Sequence, residues 1–143
     1  MRGHWMKLTM ALAVAGTVLV ACAPRGPKPT TSTTYRWVYS TGGIAGRRIT
    51  PQDQHLSVVY SFVSDSTLFV ARTPPGTVDT THYSITKGGG TAGRDLIHYR
   101  HAVNVMAPFD TLQYLRHVGK DTLILTDRCA DCYEHTFVRV SYY

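Results

Sequence analysis

Residues that favour long helices are scarce in this sequence. Its 143 residues include one glutamate, Glu134, and four lysines, whereas threonine and valine are abundant and nine tyrosines are present. Straight-chain residues favour helices, while β-branched and aromatic residues favour strands. The length leaves room for one domain and excludes a large multidomain enzyme. We therefore predict an all-β protein.

Catalytic signatures are missing as well. Neither G-x-S-x-G nor H-E-x-x-H occurs, and a paired-carboxylate site would have to use aspartates that lie mostly in predicted turns. Residues 88–93 match the dinucleotide pattern G-x-G-x-x-G, which requires a helix after it. The following residues, Asp95 to Tyr99, are typical of a strand, so we interpret this match as a hairpin loop. We expect no enzyme activity, no cofactor and no metal.

The sequence also lacks an apolar run long enough to span a membrane, which takes about 20 residues. The run from Leu8 to Ala21 is shorter and gives way to Pro24. It follows a short segment that carries Arg2 and Lys7, and this order is typical of a secretory signal. We predict that residues 1–21 are a signal peptide.

The end of this signal, Leu19-Val20-Ala21-Cys22, resembles the lipobox of bacterial lipoproteins. The resemblance implies that Cys22 starts the mature chain and carries acyl chains, palmitate among them, which would hold the protein on a membrane. The alternative is an ordinary signal peptide with a chance cysteine. Residues 22–34 contain three of the seven prolines and predict an extended tether. Ala23 after the cysteine resembles lipoproteins of the Gram-negative outer membrane.

The formal net charge of +6 and the isoelectric point near 9.4 raise the question of nucleic-acid binding. Removal of the predicted signal takes away Arg2 and Lys7 and so reduces the excess of basic over acidic residues. An exported, membrane-tethered domain does not ordinarily meet nucleic acid, so we expect no such partner. Arg25 and Lys28 are better placed to lie near anionic lipid head groups.

Residues 35–143 read as short strands separated by turn signals. The clearest is His55 to Val63, with Leu56 and Tyr60 on one face, and another is predicted from Asp95 to Met106. The stretch Asp110 to Val118 fits a capped helix or a strand, and we favour the strand. Eight strands joined by short links predict an antiparallel up-and-down β-barrel, a closed form that removes exposed edges.

Both ends of this domain resemble the small lipocalin-like lipoproteins of Gram-negative bacteria. The matching residues are Trp37 with residues 40–46, residues 121–127, Cys129, Asp131 and residues 137–139. Tyr35 stands where lipocalins carry a glycine. The resemblance implies that Arg139 lies across Trp37 and closes the barrel floor, a contact that a cation–π interaction would stabilise. The alternative is a core tryptophan and an unrelated surface arginine.

The remaining cysteines and histidines leave several sites to consider. If Cys22 carries lipid, Cys129 and Cys132 form a pair in an oxidising compartment, where a disulfide is expected. Zinc could use the same pair with His135, but no fourth ligand is adjacent. His82 and His117 could converge with His135 inside the barrel to hold haem or a metal, although scattered half-buried histidines are commoner.

These features predict an envelope lipoprotein with a lipocalin-like barrel that binds a small apolar or amphipathic ligand without catalysis. The sequence does not identify the ligand-binding residues. The alternative is a protein–protein interaction or structural module of the envelope with a filled barrel. An enclosed apolar cavity of at least about 300 Å³ would favour the ligand, and a solid interior would favour the protein partner.

Overall fold

The computed structural model describes residues 32–103, 105, 111–129 and 131–141. The predicted signal, Cys22 and most of the predicted tether lie outside the described residues. The described part forms nine strands, one short α-helix and a 3-10 turn at Thr91–Gly93. In chain order these are β1 (Thr33–Gly42), β2 (Arg47–Ile49), α1 (Pro51–Gln54), β3 (Ser57–Phe62), β4 (Thr67–Thr73), β5 (Thr77–Thr86), β6 (Asp95–Tyr99), β7 (Leu112–Val118), β8 (Thr122–Asp127) and β9 (Tyr133–Arg139).

Eight of these strands close into an antiparallel barrel. β1 pairs with β3 through its first residues, each strand from β3 to β9 pairs with the next, and β9 returns to pair with β1. β2 lies beside the last residues of β1 and adds a short ninth strand. The predicted all-β barrel is confirmed, and the ambiguous stretch before Gly119 forms the strand β7.

The seam between β1 and β9 contains a β-bulge. Trp37 lies opposite Phe137 and Ser40 opposite His135, with a register shift between Trp37 and Tyr39. Simple alternation would place Trp37 and Ser40 on opposite faces of the strand. Because the bulge inserts one extra residue, both side chains instead face the interior, where they are 1% and 0% exposed.

Side chains fill the barrel interior. The largest fully buried ones are Trp37, Tyr60, Tyr99 and Phe137, and the rings of Tyr60 and Phe137 pack with centroids 4.7 Å apart. On β3, Val58 and Tyr60 are buried and Phe62 is packed against the core, as is Leu56 just before the strand, in agreement with the predicted alternation. Among the described residues, the centre of the barrel is therefore a packed core.

The chain after β6 closes one end of the barrel. β6 ends at Tyr99, earlier than the predicted strand, and the following segment brings Val103 into the core with 3% exposure. The Val103 carbonyl accepts hydrogen bonds from Tyr60 Oη at 2.6 Å and Arg72 Nη2 at 2.9 Å. Because this carbonyl accepts hydrogen bonds from two side chains that point inward, it holds the segment across the end of the barrel where β3 begins.

The same end carries the disulfide between Cys129 and Cys132, whose Cα atoms are 5.2 Å apart. It spans the turn from β8 to β9. Gly42 faces this turn, and a Cβ atom there would lie 2.8 Å from the Tyr133 Cα and collide with the Cys132 carbonyl. Glycine at position 42 therefore allows the end of β1 to approach the start of β9.

Two small elements carry no periodic signal in the sequence, β2 and α1. The four-residue helix starts with a capping box, in which Thr50 Oγ1 accepts from the Asp53 amide and the Thr50 amide donates to Asp53 Oδ2. These bonds to Thr50 lower the pKa of the Asp53 carboxyl. A helix of four residues is too short for amphipathic periodicity, so its cap is the only sequence signal it leaves.

The buried tyrosines make the barrel sensitive to alkali. Burial raises the pKa of Tyr60 and Tyr99, and raises that of Tyr35 and Tyr83 as well. Since the unfolded chain loses its phenolic protons near pH 10, stability is fully present below that pH and falls as the pH rises above it. We expect the phenolate absorbance of these tyrosines to appear together with loss of the sheet signal in circular dichroism. Ionisation of all the tyrosines near pH 10 with the sheet intact would contradict this burial.

Candidate functional site

The barrel interior contains a chain of hydrogen bonds that joins β1, β8 and β9. Trp37 Nε1 donates to Ser40 Oγ at 2.9 Å, and Ser40 Oγ lies 2.6 Å from His135 Nδ1. On the other side of the ring, His135 Nε2 lies 3.2 Å from Asp127 Oδ2. Ser40 and His135 are 0% exposed and Asp127 is 3% exposed.

A second arm reaches the same carboxylate from β6 and β7. Tyr99 Oη donates to Gln113 Oε1 at 3.0 Å, and Gln113 Nε2 donates to Asp127 Oδ1 at 2.7 Å. Asp127 therefore accepts from both arms, one on each oxygen. We call these six residues the buried polar chain: Trp37, Ser40, His135, Asp127, Gln113 and Tyr99.

The direction of these bonds assigns the proton on His135. An indole N–H can only donate, so Ser40 Oγ accepts from Trp37. In the arrangement that satisfies every group, the Ser40 hydroxyl donates to Nδ1 and the His135 proton sits on Nε2, where it donates to Asp127. All donors in the buried polar chain then point toward one carboxylate.

Ser40, His135 and Asp127 also stand in the order hydroxyl, imidazole, carboxylate, which serine hydrolases use to activate a nucleophile. A catalytic hydroxyl must meet a substrate carbonyl. Ser40 Oγ is enclosed by the core, and four cavities that described residues line include none of these three side chains. Among the described residues, the three side chains therefore act as buried links within the barrel core.

The seam places the two predicted partners, Trp37 and Arg139, on adjacent strands. Arg139 lies opposite Tyr35, whereas Trp37 lies opposite Phe137. Burial raises the pKa of the Tyr35 phenol, and the nearby Arg139 guanidinium partly offsets this effect. Arg139 thus lies two residues along β9 from the position opposite Trp37, and the cation–π contact between them stays a prediction.

Two cation–π contacts lie in the described part of the chain. The Arg48 guanidinium lies 3.8 Å from the ring centroid of Tyr39, and that of Arg94 lies 5.6 Å from the ring centroid of Tyr114. Tyr39 follows the bulge and points outward, so the contact with Arg48 ties β2 to the outer face of β1.

The histidines considered as metal or haem ligands do not converge. His135 is held in the buried polar chain, while His82 and His117 are exposed. Cys129 and Cys132 are joined to each other. Within the described ranges, no three histidine, cysteine or acidic side chains are grouped so as to hold a metal ion.

The end of the barrel where β1 begins carries an apolar depression of about 190 Å³, which we call the open-end bowl. Three aromatic rings form one side of it: Phe62 packs edge to face against Tyr35 at 6.0 Å and against Tyr83 at 5.2 Å. The other side chains of the bowl are Thr33, Ile85, Leu115, His117 and Leu123. Its volume is below the roughly 300 Å³ typical of a small-molecule pocket.

The bowl is held in place by the hairpin that joins β3 to β4. Tyr83 Oη donates to the Ser64 carbonyl at 2.7 Å, and the Tyr83 amide donates to the Ser66 carbonyl at 2.9 Å. Because the polar atom of Tyr83 is satisfied at the rim, its ring faces the bowl as an apolar surface.

Strand periodicity in the sequence predicts the inward orientation of some members of the buried polar chain but not of others. Gln113, Asp127 and His135 alternate with buried apolar residues such as Leu115 and Leu125, so strand periodicity indicates that they point inward. Ser40 reaches the interior only through the bulge, which the sequence does not reveal. The open-end bowl combines residues from five strands, so no local spacing predicts it.

Comparison of the chain with protein-family models, with curated proteins and with solved structures finds no match. The closed eight-strand barrel fits a lipocalin-like architecture. Within the part of the chain that the structure describes, no helix has the length and apolar character needed to cross a bilayer. Architecture alone does not assign a function, because one fold supports many binding sites.

Proposed function

We propose that this protein is a lipid-anchored interaction module of the cell envelope, with a filled barrel that supports an apolar contact site at its open end. The observation that carries the proposal is the solid interior: Trp37, Tyr60, Tyr99 and Phe137 occupy the centre that a ligand would need. The open-end bowl, at about 190 Å³, suits one apolar side chain of a protein partner.

The position of the bowl supports a partner near the membrane. The bowl lies at the end where β1 begins, so the predicted tether joins the barrel on the same side. If Cys22 is lipidated, residues 22–32 reach roughly 30 Å in an extended form. A partner that fills the bowl would then lie within about this distance of the bilayer surface.

A second candidate is a small apolar or amphipathic molecule bound in the same bowl. The aromatic side formed by Tyr35, Phe62 and Tyr83 favours it, since such rings offer apolar area at low cost in conformational entropy. The limited volume restricts this ligand to a ring or a short part of an acyl chain. Like the partner protein, it would leave the filled interior unchanged.

Native mass spectrometry of the protein extracted from its own membrane separates these candidates. Ile85 lies in the bowl, and Val78 is an exposed apolar residue near the other end of the same strand. We expect a partner protein to remain bound to the wild type and to Val78→Lys, with retention reduced about tenfold or more by Ile85→Lys, which forces a charge against apolar surface.

Each other outcome has a definite meaning for the proposal. A retained small molecule without a protein, lost in Ile85→Lys, would replace the interaction module by the second candidate. Retention that is equal in both variants would show that the bowl is not the contact site. A wild type that retains neither protein nor small molecule would contradict both candidates.

A further inference from the structure

The outer wall of the barrel has a groove of about 380 Å³ between β5 and β6, which shares only Tyr83 with the lining of the open-end bowl. Its polar lining consists of His82 and Ser84 from β5, His98 and Arg100 from β6 and the residues after it, and Thr111 before β7. The side chains of His82, Ser84, His98 and Arg100 are exposed. They are accessible to a ligand in solution or at a membrane surface.

The strand register brings these four side chains onto one face. Ser84 lies opposite His98, and the Arg100 amide donates to the His82 carbonyl at 2.8 Å. Residues two apart on a strand point to the same side, and directly opposite residues are nearest neighbours. Two imidazoles, a guanidinium and a hydroxyl thus form one compact cluster.

The nitrogen donors of this cluster are available. Arg100 and His98 have no side-chain hydrogen bond or ion pair with any residue that the structure describes. The His82 Nδ1 atom donates to the Ser66 carbonyl at 3.3 Å, so Nε2 faces a ligand as a donor only in the imidazolium form of the ring. Among the described residues, the groove thus combines the unpaired side chains of Arg100 and His98 with the hydroxyls of Ser84 and Thr111.

We propose that this groove binds a phosphate group, either as the free anion or as the head group of a lipid. An arginine fork pairs with two phosphate oxygens, and the imidazoles and hydroxyls can donate to the others. The guanidinium opposes binding of a cation. No described residue that lines the groove carries a carboxylate that would neutralise Arg100.

The strands that flank the groove add no charge beside its histidines. Thr67 of β4 lies opposite His82, and Leu112 of β7 lies opposite His98, so neither flanking position carries a charge. The β3–β4 turn contributes Asp65, whose charge acts on Tyr83.

The remaining titratable groups at the groove are Tyr83 and Tyr99, which line it, and His101, which follows Arg100. Burial raises the pKa of both tyrosines, which keeps them neutral near pH 7. The His101 amide donates to Thr81 Oγ1 at 3.2 Å, which fixes the backbone at the edge of the cluster.

The test uses the protein purified from its own membrane in uncharged detergent micelles, observed through the imidazole nitrogen signals of His82 and His98 in NMR spectra. Two probes are titrated separately, inorganic phosphate and monomeric dihexanoyl phosphatidic acid, each against chloride at equal ionic strength. The variants are Arg100→Gln and His98→Gln, with Arg36→Gln as the control because Arg36 is an exposed arginine on β1. Amide spectra establish that each variant is folded.

We expect saturable shifts with at least one probe, and we expect Arg100→Gln but not Arg36→Gln to weaken binding about tenfold or more. Response to inorganic phosphate alone identifies a free anion as ligand, and response to the lipid phosphate alone identifies a head group. Shifts no larger than those caused by chloride would overturn the proposal. Equal affinities in wild type and folded Arg100→Gln or His98→Gln would overturn it too.

Discussion

Replacing Asp127 with alanine is expected to lower the free energy of unfolding by about 3 to 5 kcal/mol. Asp127 accepts from His135 Nε2 on one oxygen and from Gln113 Nε2 on the other. The substitution would leave both donors buried without an acceptor, and each such loss is costly because water cannot replace it. Denaturant unfolding followed by circular dichroism in uncharged detergent measures the change.

Two variants place this value in context. Asp121→Ala removes an exposed carboxylate in the turn before β8 and is expected to change stability by less than about 1 kcal/mol. Ser40→Ala removes one link at the Trp37 end of the buried polar chain and is expected to cost about 1 to 3 kcal/mol. If Asp127→Ala costs no more than Asp121→Ala, the buried polar chain does not exist as described.

Replacing Phe137 with alanine is expected to cost about 3 to 5 kcal/mol. Phe137 is 0% exposed, lies opposite Trp37 across the seam and packs on the ring of Tyr60. Its removal would leave a cavity where the last strand meets the first. The loss of stability then has two parts, the transfer free energy of the removed ring and the cost of a cavity that the surrounding side chains fill only partly. The same denaturant experiment measures it.

The neighbouring residue provides the matched control. Val138 follows Phe137 on β9 and is only partly buried, so Val138→Ala is expected to cost less than about 1 kcal/mol. Comparable losses in the two variants would mean that the two faces of β9 are equally buried. That result would contradict a barrel in which the Phe137 side of β9 faces the interior.

Strand periodicity in the sequence is sufficient to predict most of the barrel. Alternation in β3 places Val58 and Tyr60 inside, and turn signals separate strands at the spacing of an antiparallel barrel. β6 is the exception, because the predicted strand extends past Tyr99, where the chain turns to bring Val103 into the core. Tertiary contacts decide this point, since the Val103 carbonyl meets donors on β3 and β4.

The candidate sites depend on information that a single sequence does not contain. The inward orientation of Ser40 requires a bulge at the seam, and a bulge depends on pairing with a strand about 95 residues away. His135 illustrates the consequence: its sequence neighbours suggested a zinc site with the two cysteines, whereas its partners in the structure are Ser40 and Asp127. Long-range register, and not local spacing, determines these contacts.

Hydrogen exchange at the Trp37 indole N–H tests the filled, closed barrel most directly. This proton lies in the core and donates to Ser40 Oγ. We predict that it exchanges with water only through global unfolding, at the rate of the slowest backbone amides of β1 and β9. Exchange at the rate of a solvent-exposed indole, with the sheet still folded, would show that water enters the interior and would contradict this account.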